Sequence, residues 1–241
     1  MVSVTSFALH ILAMACMLCD HMWGTVIPGN EWMTCIGRIA FPIFAFLTVE
    51  GYFHTSNLKK YLLRLLLFAV LSEIPFNLAL GGRIFYPLHQ NVLWSFLISL
   101  GLIHWNEQAK KSGKRWKRVL IASVTLAVAF VAGILTMVDY YHAGILMVLV
   151  FYFFRQKKWW SYVGQILGLW YINTEILGGF SYELQLFGKT YFLMRQSLAL
   201  LALIPIWLYR GKQGYHNKWI QYACYGFYPL HLLILGVIKL L

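Results

Sequence analysis

The first apolar stretch of the chain contains ionisable side chains with a regular spacing. Asp20 and His21 interrupt a run of mostly apolar residues that begins at Ser6, and His10 lies eleven residues before His21. Eleven residues are close to three helical turns, so the two histidines would share one helix face at levels about 16 Å apart. Ionisable groups are costly to place in a membrane, so this pattern favours a catalytic or transport role for His21.

The composition indicates which elements must position these groups. Hydrophobic residues make up 60% of the 241 residues, charged residues 12%, and the mean hydropathy is +0.65. These values are typical of a membrane protein. We predict an all-α, polytopic integral membrane helix bundle in one domain, residues 1–241, with about nine transmembrane helices (eight to ten). The predicted spans are 5–27, 32–53, 58–80, 87–105, 117–137, 141–155, 158–177, 189–209 and 219–240.

The net charge of +12 is distributed unevenly along these spans. Fifteen of the 20 basic residues follow the second, fourth, sixth and eighth spans, and three lie on the other side. Such a bias is typical of the positive-inside rule and does not require a nucleic-acid partner. The sequence therefore predicts a multi-pass protein of the cytoplasmic (inner) membrane with a cytoplasmic N-terminus. The segment 174–188 on the outer side could be re-entrant or interfacial.

Polar residues of several spans are expected at matching depths. Those expected in the outer half, lining a polar intramembrane cavity, are Asp20, His21, Arg38, Glu73, Asn91, Asp139 and Arg195. His10, Glu50, Lys60 and Arg64 would mark its cytoplasmic end. Other interpretations are open: an Arg38–Glu73 pair could only hold helices together, His231 could be a core histidine, and Trp94 could face lipid or the core. Pro75 predicts a helix kink.

Several blocks of residues closely resemble the TraX family. They are Asp20-His21, Gly37-Arg-Ile-Ala-Phe-Pro-Ile-Phe-Ala-Phe46, Glu50-Gly51-Tyr52, Lys60-Tyr61-x-x-Arg64, Ser72-Glu73-Ile-Pro-Phe76, Gln90-Asn91, Asp139-Tyr140 and Tyr225-x-Phe-Tyr-Pro-x-His231. TraX proteins include the F-pilin N-acetylase, and they resemble acyltransferase-3 proteins and heparan glucosaminide N-acetyltransferase. The resemblance implies acetyl transfer from cytoplasmic acetyl-CoA by an intramembrane histidine. His10 stands where the acyltransferase-3 pattern has arginine or lysine.

This chemistry agrees with the residue types. Acetyl transfer to an amine or hydroxyl needs a base and donors for the developing oxyanion. We expect His21 to be the base. Asp20, Glu73 or Asp139 could orient it or stabilise its cation, and Arg38 or Arg195 could stabilise the oxyanion. Asn91 is assigned to the same catalytic group. The donor site would contain His10, Glu50, Lys60, Arg64, Tyr228 and His231.

The expected partners are acetyl-CoA, an envelope acceptor (a pilin-like peptide N-terminus or a glycan) and the lipid bilayer. No metal is needed, because the thioester already carries an activated acyl group. The alternative function is a proton-coupled transporter or flippase, since Asp, Glu and His chains also serve proton relays.

Overall fold

The computed structural model describes residues 4–215 and 217–241, and most of them are helical. The elements are α1 (Ser6–Thr25), α2 (Glu31–Gly37), α3 (Ala40–His54), α4 (Leu58–Phe76), α5 (Val92–Lys111), α6 (Arg115–Leu135), α7 (Tyr141–Phe153), α8 (Trp159–Tyr171), β1 (Ser181–Leu186), β2 (Lys189–Met194), a 3₁₀ helix (Arg195–Ala202), α9 (Leu203–Trp207) and α10 (Lys218–Leu240). π-Helical turns extend α4 over Asn77–Gly81 and α8 over Ile172–Ile176.

Five helices of the described chain are long and apolar enough to cross a membrane. They are α1, the continuous α2–α3 segment, α4 with its π turn, α6 and α10. The helix α5 is also 20 residues long, but polar residues such as Asn106 and Glu107 occupy its last turns. The remaining helical segments, α7, α8 and Arg195–Trp207, are shorter.

For most spans the predicted bounds lie close to the ends of the observed helices, but the predicted beginning of the fourth span is wrong. That helix begins at Val92 rather than at residue 87. Asn91 is its N-cap, and the Asn91 side chain accepts a hydrogen bond from the Leu93 amide (3.1 Å). The backbone before the cap instead pairs with the α6–α7 loop, where the amide of Gln90 donates to Met137 O (2.8 Å) and that of Asp139 donates to Gln90 O (2.8 Å). Pro75 lies in the last turn of α4, where the sequence predicts a kink, and a π-helical turn follows it over Asn77–Gly81.

The eighth predicted span is also wrong at its beginning, and the prediction of an all-α fold fails there. Residues 181–194 form an antiparallel β-hairpin in which Ser181 pairs with Met194 and Glu183 with Phe192. Phe187 and Gly188 have φ angles of 53° and 72°, and two positive φ values are typical of a tight hairpin turn. Tyr191, Phe192 and Leu193 thus contribute apolar character to a strand rather than to a transmembrane helix.

The main hydrophobic core lies between α3, α5 and α7. Ile43, Leu100, Ile103, Ile145 and Leu149 are all fully buried in it. Helix α7 is apolar on every side, as expected for a helix enclosed by others. Helix α6 is peripheral: most of its side chains are exposed on the outside of the bundle.

The loops between helices gather at two ends of the bundle. At one end, the amides of Ser6 and Phe7 donate to the carbonyls of Lys212 and Gln213, and Arg155 pairs with Glu50. This end, which includes loops 54–58, 111–115 and 153–159 and the described residues 207–215 and 217–218, is called the basic end because most of the lysine and arginine residues lie there. The opposite end includes loops 25–31, 81–92 and 135–141 and the hairpin.

Candidate functional site

Two histidines from distant helices form a hydrogen-bonded pair. His21 Nδ1 on α1 lies 2.7 Å from His231 Nε2 on α10. His231 Nδ1 lies 2.7 Å from the carbonyl of Phe227, which can only accept, so His231 Nδ1 carries a proton. When both rings are neutral, His231 Nε2 must therefore accept from His21 Nδ1–H. The Nε2 atom of His21 then retains its lone pair and can act as a base.

The surroundings hold this pair in a fixed orientation. The two imidazole planes are 4° apart, and the Phe227 ring stacks on His231 with ring centroids 4.8 Å apart. His231 and Tyr228 are buried. The hydrogen bond that orients His21 is made by His231 and not by a carboxylate of Asp20, Glu73 or Asp139, which was one of the two roles considered for them. His231, expected at the donor site, is instead the partner of the predicted base.

Asp20 forms a separate cluster with the beginning of the second span. Its carboxylate pairs with the Arg38 guanidinium and accepts from Thr34 Oγ1 at 2.8 Å. Arg38 Nε also donates to Thr34 O (3.2 Å), and Nη1 donates to Gln196 Oε1 (3.2 Å). The Arg38–Glu73 pair, left open in the sequence analysis, is therefore not formed, and Arg38 pairs with Asp20 instead. Because Asp20 and His21 are adjacent on α1, this cluster fixes the rotation of the helix turn that carries the base.

A glycine permits the close approach of these helices. A Cβ atom placed on Gly37 would lie 2.3 Å from the Cβ of Asp20 and 2.7 Å from its Oδ1. Only a residue without a side chain fits at this position, which explains the Gly37-Arg38 sequence in physical terms. The glycine brings α2 against α1, and the arginine that follows neutralises the aspartate.

The cluster extends to residues that the sequence analysis missed. Gln196 Nε2 donates to Asn173 Oδ1 (3.1 Å), and Asn173 Nδ2 donates to Leu169 O (2.7 Å). Asn173 is fully buried in the π-helical turn after α8. An asparagine at the end of an apolar run, such as Asn173, is a sequence signal for a buried polar contact. Nothing in the sequence indicated that this contact would extend to Arg38. The network connects α1, α2, α8 and the 3₁₀ helix.

Glu73 belongs to a third group around the beginning of α5. It accepts from the Asn91 amide (3.1 Å), from the Asn91 side chain (2.5 Å) and from Trp94 Nε1 (2.7 Å). Trp94, expected to face lipid or to pack, is therefore also a hydrogen-bond donor. These contacts hold α4 and α5 together, and none of them involves His21.

Asp139 and Arg195 lie at the margin of the opposite end. Asp139 Oδ1 accepts from His89 Nε2 at 3.3 Å, and this hydrogen bond raises the pKa of His89 in the loop before α5. Arg195 pairs with Glu31 (3.0 Å) and lies over the Trp23 ring. Since Glu31 is about half exposed, Arg195 occupies the rim and does not join His21, contrary to expectation.

A pocket of about 680 Å³ opens at the basic end between α1, α3, α4 and α10. Five of the six residues predicted for the donor site line it, namely His10, Glu50, Lys60, Arg64 and Tyr228. The residues expected to line a cavity in the outer half do not border this pocket. Asp20, Arg38, Glu73, Asn91 and Asp139 are instead engaged in the clusters described above.

The pocket mouth has an excess of positive charge. Glu50, the carboxylate that lines the pocket, pairs with Arg155 at 2.8 Å. Lys60 and Arg64 therefore determine the electrostatic potential at the mouth. The Arg64 guanidinium lies over the Tyr225 ring, 5.1 Å from its centroid. The buried Arg64 Nε has no hydrogen-bond partner in the described chain, so a donor is available for an anionic ligand.

The inner end of the pocket approaches the histidine pair. His10, Met14, Met17 and His21 follow one another at helical spacing, so they lie along one face of α1. The first three line the pocket, and Met17 is one helical turn before His21. Tyr228 also lines it, and its ring centroid is 6.4 Å from that of His21. The pocket thus leads from the cations towards the candidate base.

Comparison with known proteins identifies the family. The profile of the TraX family, described as TraX protein, matches residues 6–239. The chain belongs to the TraX family. A curated relative is the "Probable fimbrial assembly protein FimC, serogroup H1" of Dichelobacter nodosus, 27% identical over 255 residues that cover 99% of this chain and 97% of the relative. No solved structure matches the chain.

The resemblance to the TraX family that the sequence blocks indicated is therefore confirmed. The structure shows which contacts some of these blocks make. In Glu50-Gly51-Tyr52, a Cβ atom on Gly51 would lie 2.9 Å from the hydroxyl of Tyr61. This glycine lets α4 approach α3 at the pocket mouth, beside Glu50. The last block, ending in His231, places both the Tyr228 ring and the partner of His21 on α10.

Proposed function

We propose that this TraX-family chain is a membrane-embedded acyltransferase that moves an acetyl group from cytoplasmic acetyl-CoA to an amine or hydroxyl of an envelope acceptor. The observation that carries this proposal is the His21–His231 pair, which lies one helical turn beyond Met17, a residue at the inner end of a pocket with a cationic mouth. A base with a defined proton arrangement and a route for an anionic, elongated donor are both required for this reaction.

The hydrogen-bond arrangement assigns the proton transfers to atoms. His21 Nε2 takes the proton of the acceptor amine or hydroxyl while the acceptor atom bonds to the thioester carbonyl carbon. The positive charge on His21 is shared through Nδ1–H with His231, whose own Nδ1–H is held by Phe227 O. When the carbon–sulfur bond breaks, the proton on His21 Nε2 passes to the departing sulfur.

The donor would bind with its charged part at the pocket mouth. Lys60 and the unpaired Nε of Arg64 are suited to phosphate oxygens. The Nδ1 of His10 donates to Ser6 O, so its Nε2 donates to a phosphate oxygen only when the imidazole is protonated. The elongated arm would follow Met14 and Met17 inward, so that the thioester reaches the level of His21. Arg195 is not assigned to the oxyanion, because it pairs with Glu31 at the rim.

The Asp20–Arg38 pair is proposed to position the base. Arg38 already bonds to Asp20, Thr34 and Gln196, so its hydrogen-bonding capacity is largely committed within the protein. Its effect on catalysis would come from holding the turn of α1 that bears His21. Glu73 and Asn91 would act further away by joining α4 to α5.

The orientation in the membrane follows from the charge distribution. We propose nine passes, with the basic end in the cytoplasm and the N-terminus inside, because fifteen of the 20 basic residues lie at that end. Acetyl-CoA would then enter from the cytoplasm of a bacterial inner membrane, and the acceptor would approach from the opposite end. The name of the relative, a probable fimbrial assembly protein, favours a pilin-like peptide acceptor over a glycan.

A direct test uses the purified full chain in nanodiscs with radiolabelled acetyl-CoA. We expect saturable binding of the donor and slow hydrolysis of the thioester in the absence of acceptor. Mass spectrometry of the cell envelope with and without the gene should then reveal a species that differs by one acetyl group. A protein that neither binds nor hydrolyses acetyl-CoA would contradict the proposal and favour the proton-coupled transporter or flippase.

The donor site makes a prediction about Arg64. We expect Arg64→Ala to weaken acetyl-CoA binding by roughly ten- to a hundredfold, because a hydrogen bond to a charged group is worth about 1.5–3 kcal/mol. The rate at saturating donor should change much less. The matched control is Lys59→Ala, which removes the same charge from an exposed position of α4 that does not line the pocket. Equal donor affinity in both variants would remove Arg64 from the donor site.

A further inference from the structure

The β-hairpin at the opposite end has two different faces. Alternation along the strands places Tyr182, Leu184, Tyr191 and Leu193 on one face. Ser181, Glu183, Gln185 and Thr190 lie on the other, together with Phe192 and Met194. The first set is called the aromatic–leucine face. Such alternation is typical of a sheet that has an apolar environment on one side and water on the other.

The aromatic–leucine face is turned back towards the helices. Tyr182 Oη donates to Glu31 Oε2 (3.1 Å) and lies 3.3 Å from Cys35 Sγ, so this face points to α2. The hydrogen bond with Cys35 raises the pKa of Tyr182 to about 12, so the hydroxyl stays protonated and keeps its donor.

Beyond Tyr182 the hairpin extends past the helices. Leu184 is 40% exposed, Tyr191 49% and Leu193 38%, although all three share the face that points to the bundle. Phe187 at the tip is fully exposed. The face is thus directed towards α2 at Tyr182 and is only partly covered further along the strands. In a membrane, lipid is available to cover the rest of an apolar face at the edge of the bundle.

We propose that the hairpin lies along the outer surface of the bilayer, with its aromatic–leucine face and Phe187 in the headgroup and upper acyl region. Tyrosine and phenylalanine are suited to this zone, because their rings are apolar and the tyrosine hydroxyl can reach water. Lys189, next to the tip and exposed, can place its ammonium group beside lipid phosphates while its chain follows the apolar surface. Trp32 and Ile36 of α2, which follow Glu31 and Cys35 in the sequence, are exposed apolar side chains as well.

The inference concerns the hairpin alone and does not depend on the acetyl-transfer proposal. It predicts different environments for adjacent residues. In a protein whose native cysteines are replaced by serine, single cysteines at positions 187, 190, 191 and 192 are spin-labelled, and the protein is reconstituted in nanodiscs. Collisions with lipid-soluble oxygen and with a water-soluble nickel complex are then measured by electron paramagnetic resonance.

We expect the labels at 187 and 191 to favour oxygen, and those at 190 and 192 to favour the nickel complex. Position 192 is the most informative, because Phe192 is apolar but lies on the face that is expected to be in contact with water. Preference for the nickel complex at both 187 and 191 would overturn the proposal and indicate that the face awaits a protein partner. Circular dichroism and thermal unfolding of each labelled protein confirm that the fold is retained.

Discussion

Replacing His21 by alanine should abolish acetyl transfer while the protein remains folded in the membrane. The substitution removes Nε2, the only ring nitrogen of the pair that is free to accept a proton from the acceptor. Loss of a general base typically lowers a rate by about 10²–10⁴-fold. The measurement is the initial rate of label transfer from acetyl-CoA at saturating donor, beside the thermal unfolding midpoint in detergent.

Two comparison variants separate chemistry from folding. His104→Ala removes a histidine from α5 that contacts Tyr52 and Gln108 and lies outside the proposed site, so it should retain near-wild-type transfer. His231→Ala should reduce the rate less than His21→Ala, because the base remains but loses its orienting partner. A His21→Ala protein that transfers acetyl groups at the wild-type rate would defeat the assignment and favour the transporter.

A second large effect is expected at Gly37. In Gly37→Ala the new Cβ would lie 2.3 Å from the Cβ of Asp20, so α1 and α2 must separate or Asp20 must move. Overpacking of this kind costs about 1–3 kcal/mol, and breaking a buried ion pair by leaving one partner uncompensated costs about 3–5 kcal/mol. We expect a clear fall in the thermal unfolding midpoint and loss of most transfer activity, since the displaced turn carries His21.

The matched control is Gly24→Ala, which lies on α1, one helical turn after Asp20. A Cβ atom at Gly24 would meet nothing within 4 Å, and alanine is favoured over glycine in helices by roughly 0.5–1 kcal/mol. This variant should unfold at the same temperature as the wild type or slightly higher. If Gly37→Ala unfolds at the wild-type temperature, the close packing of α1 on α2 does not contribute to stability as we propose.

The sequence by itself determined the helices and most of their bounds. Apolar runs of about twenty residues form helices whatever their neighbours, because the backbone hydrogen bonds close within each segment. The bounds of α1, α4 and α10 are therefore within two residues of their predicted limits when the π turn after α4 is included. The hairpin escaped prediction because Tyr191 to Leu193 are as apolar as a helix of the same length, and only the turn at Phe187-Gly188 distinguishes the two.

The partners of the polar residues were decided by the tertiary structure. Helical periodicity fixes the depth and the face of a side chain, but neither the order of helices around the bundle nor the rotation of each helix follows from it. Arg38 had three carboxylates at similar predicted depths, Asp20, Glu73 and Asp139, and the glycine contact at Gly37 selected Asp20. His21 and His231 are 210 residues apart in sequence, so only the packing of α10 against α1 could bring their rings together.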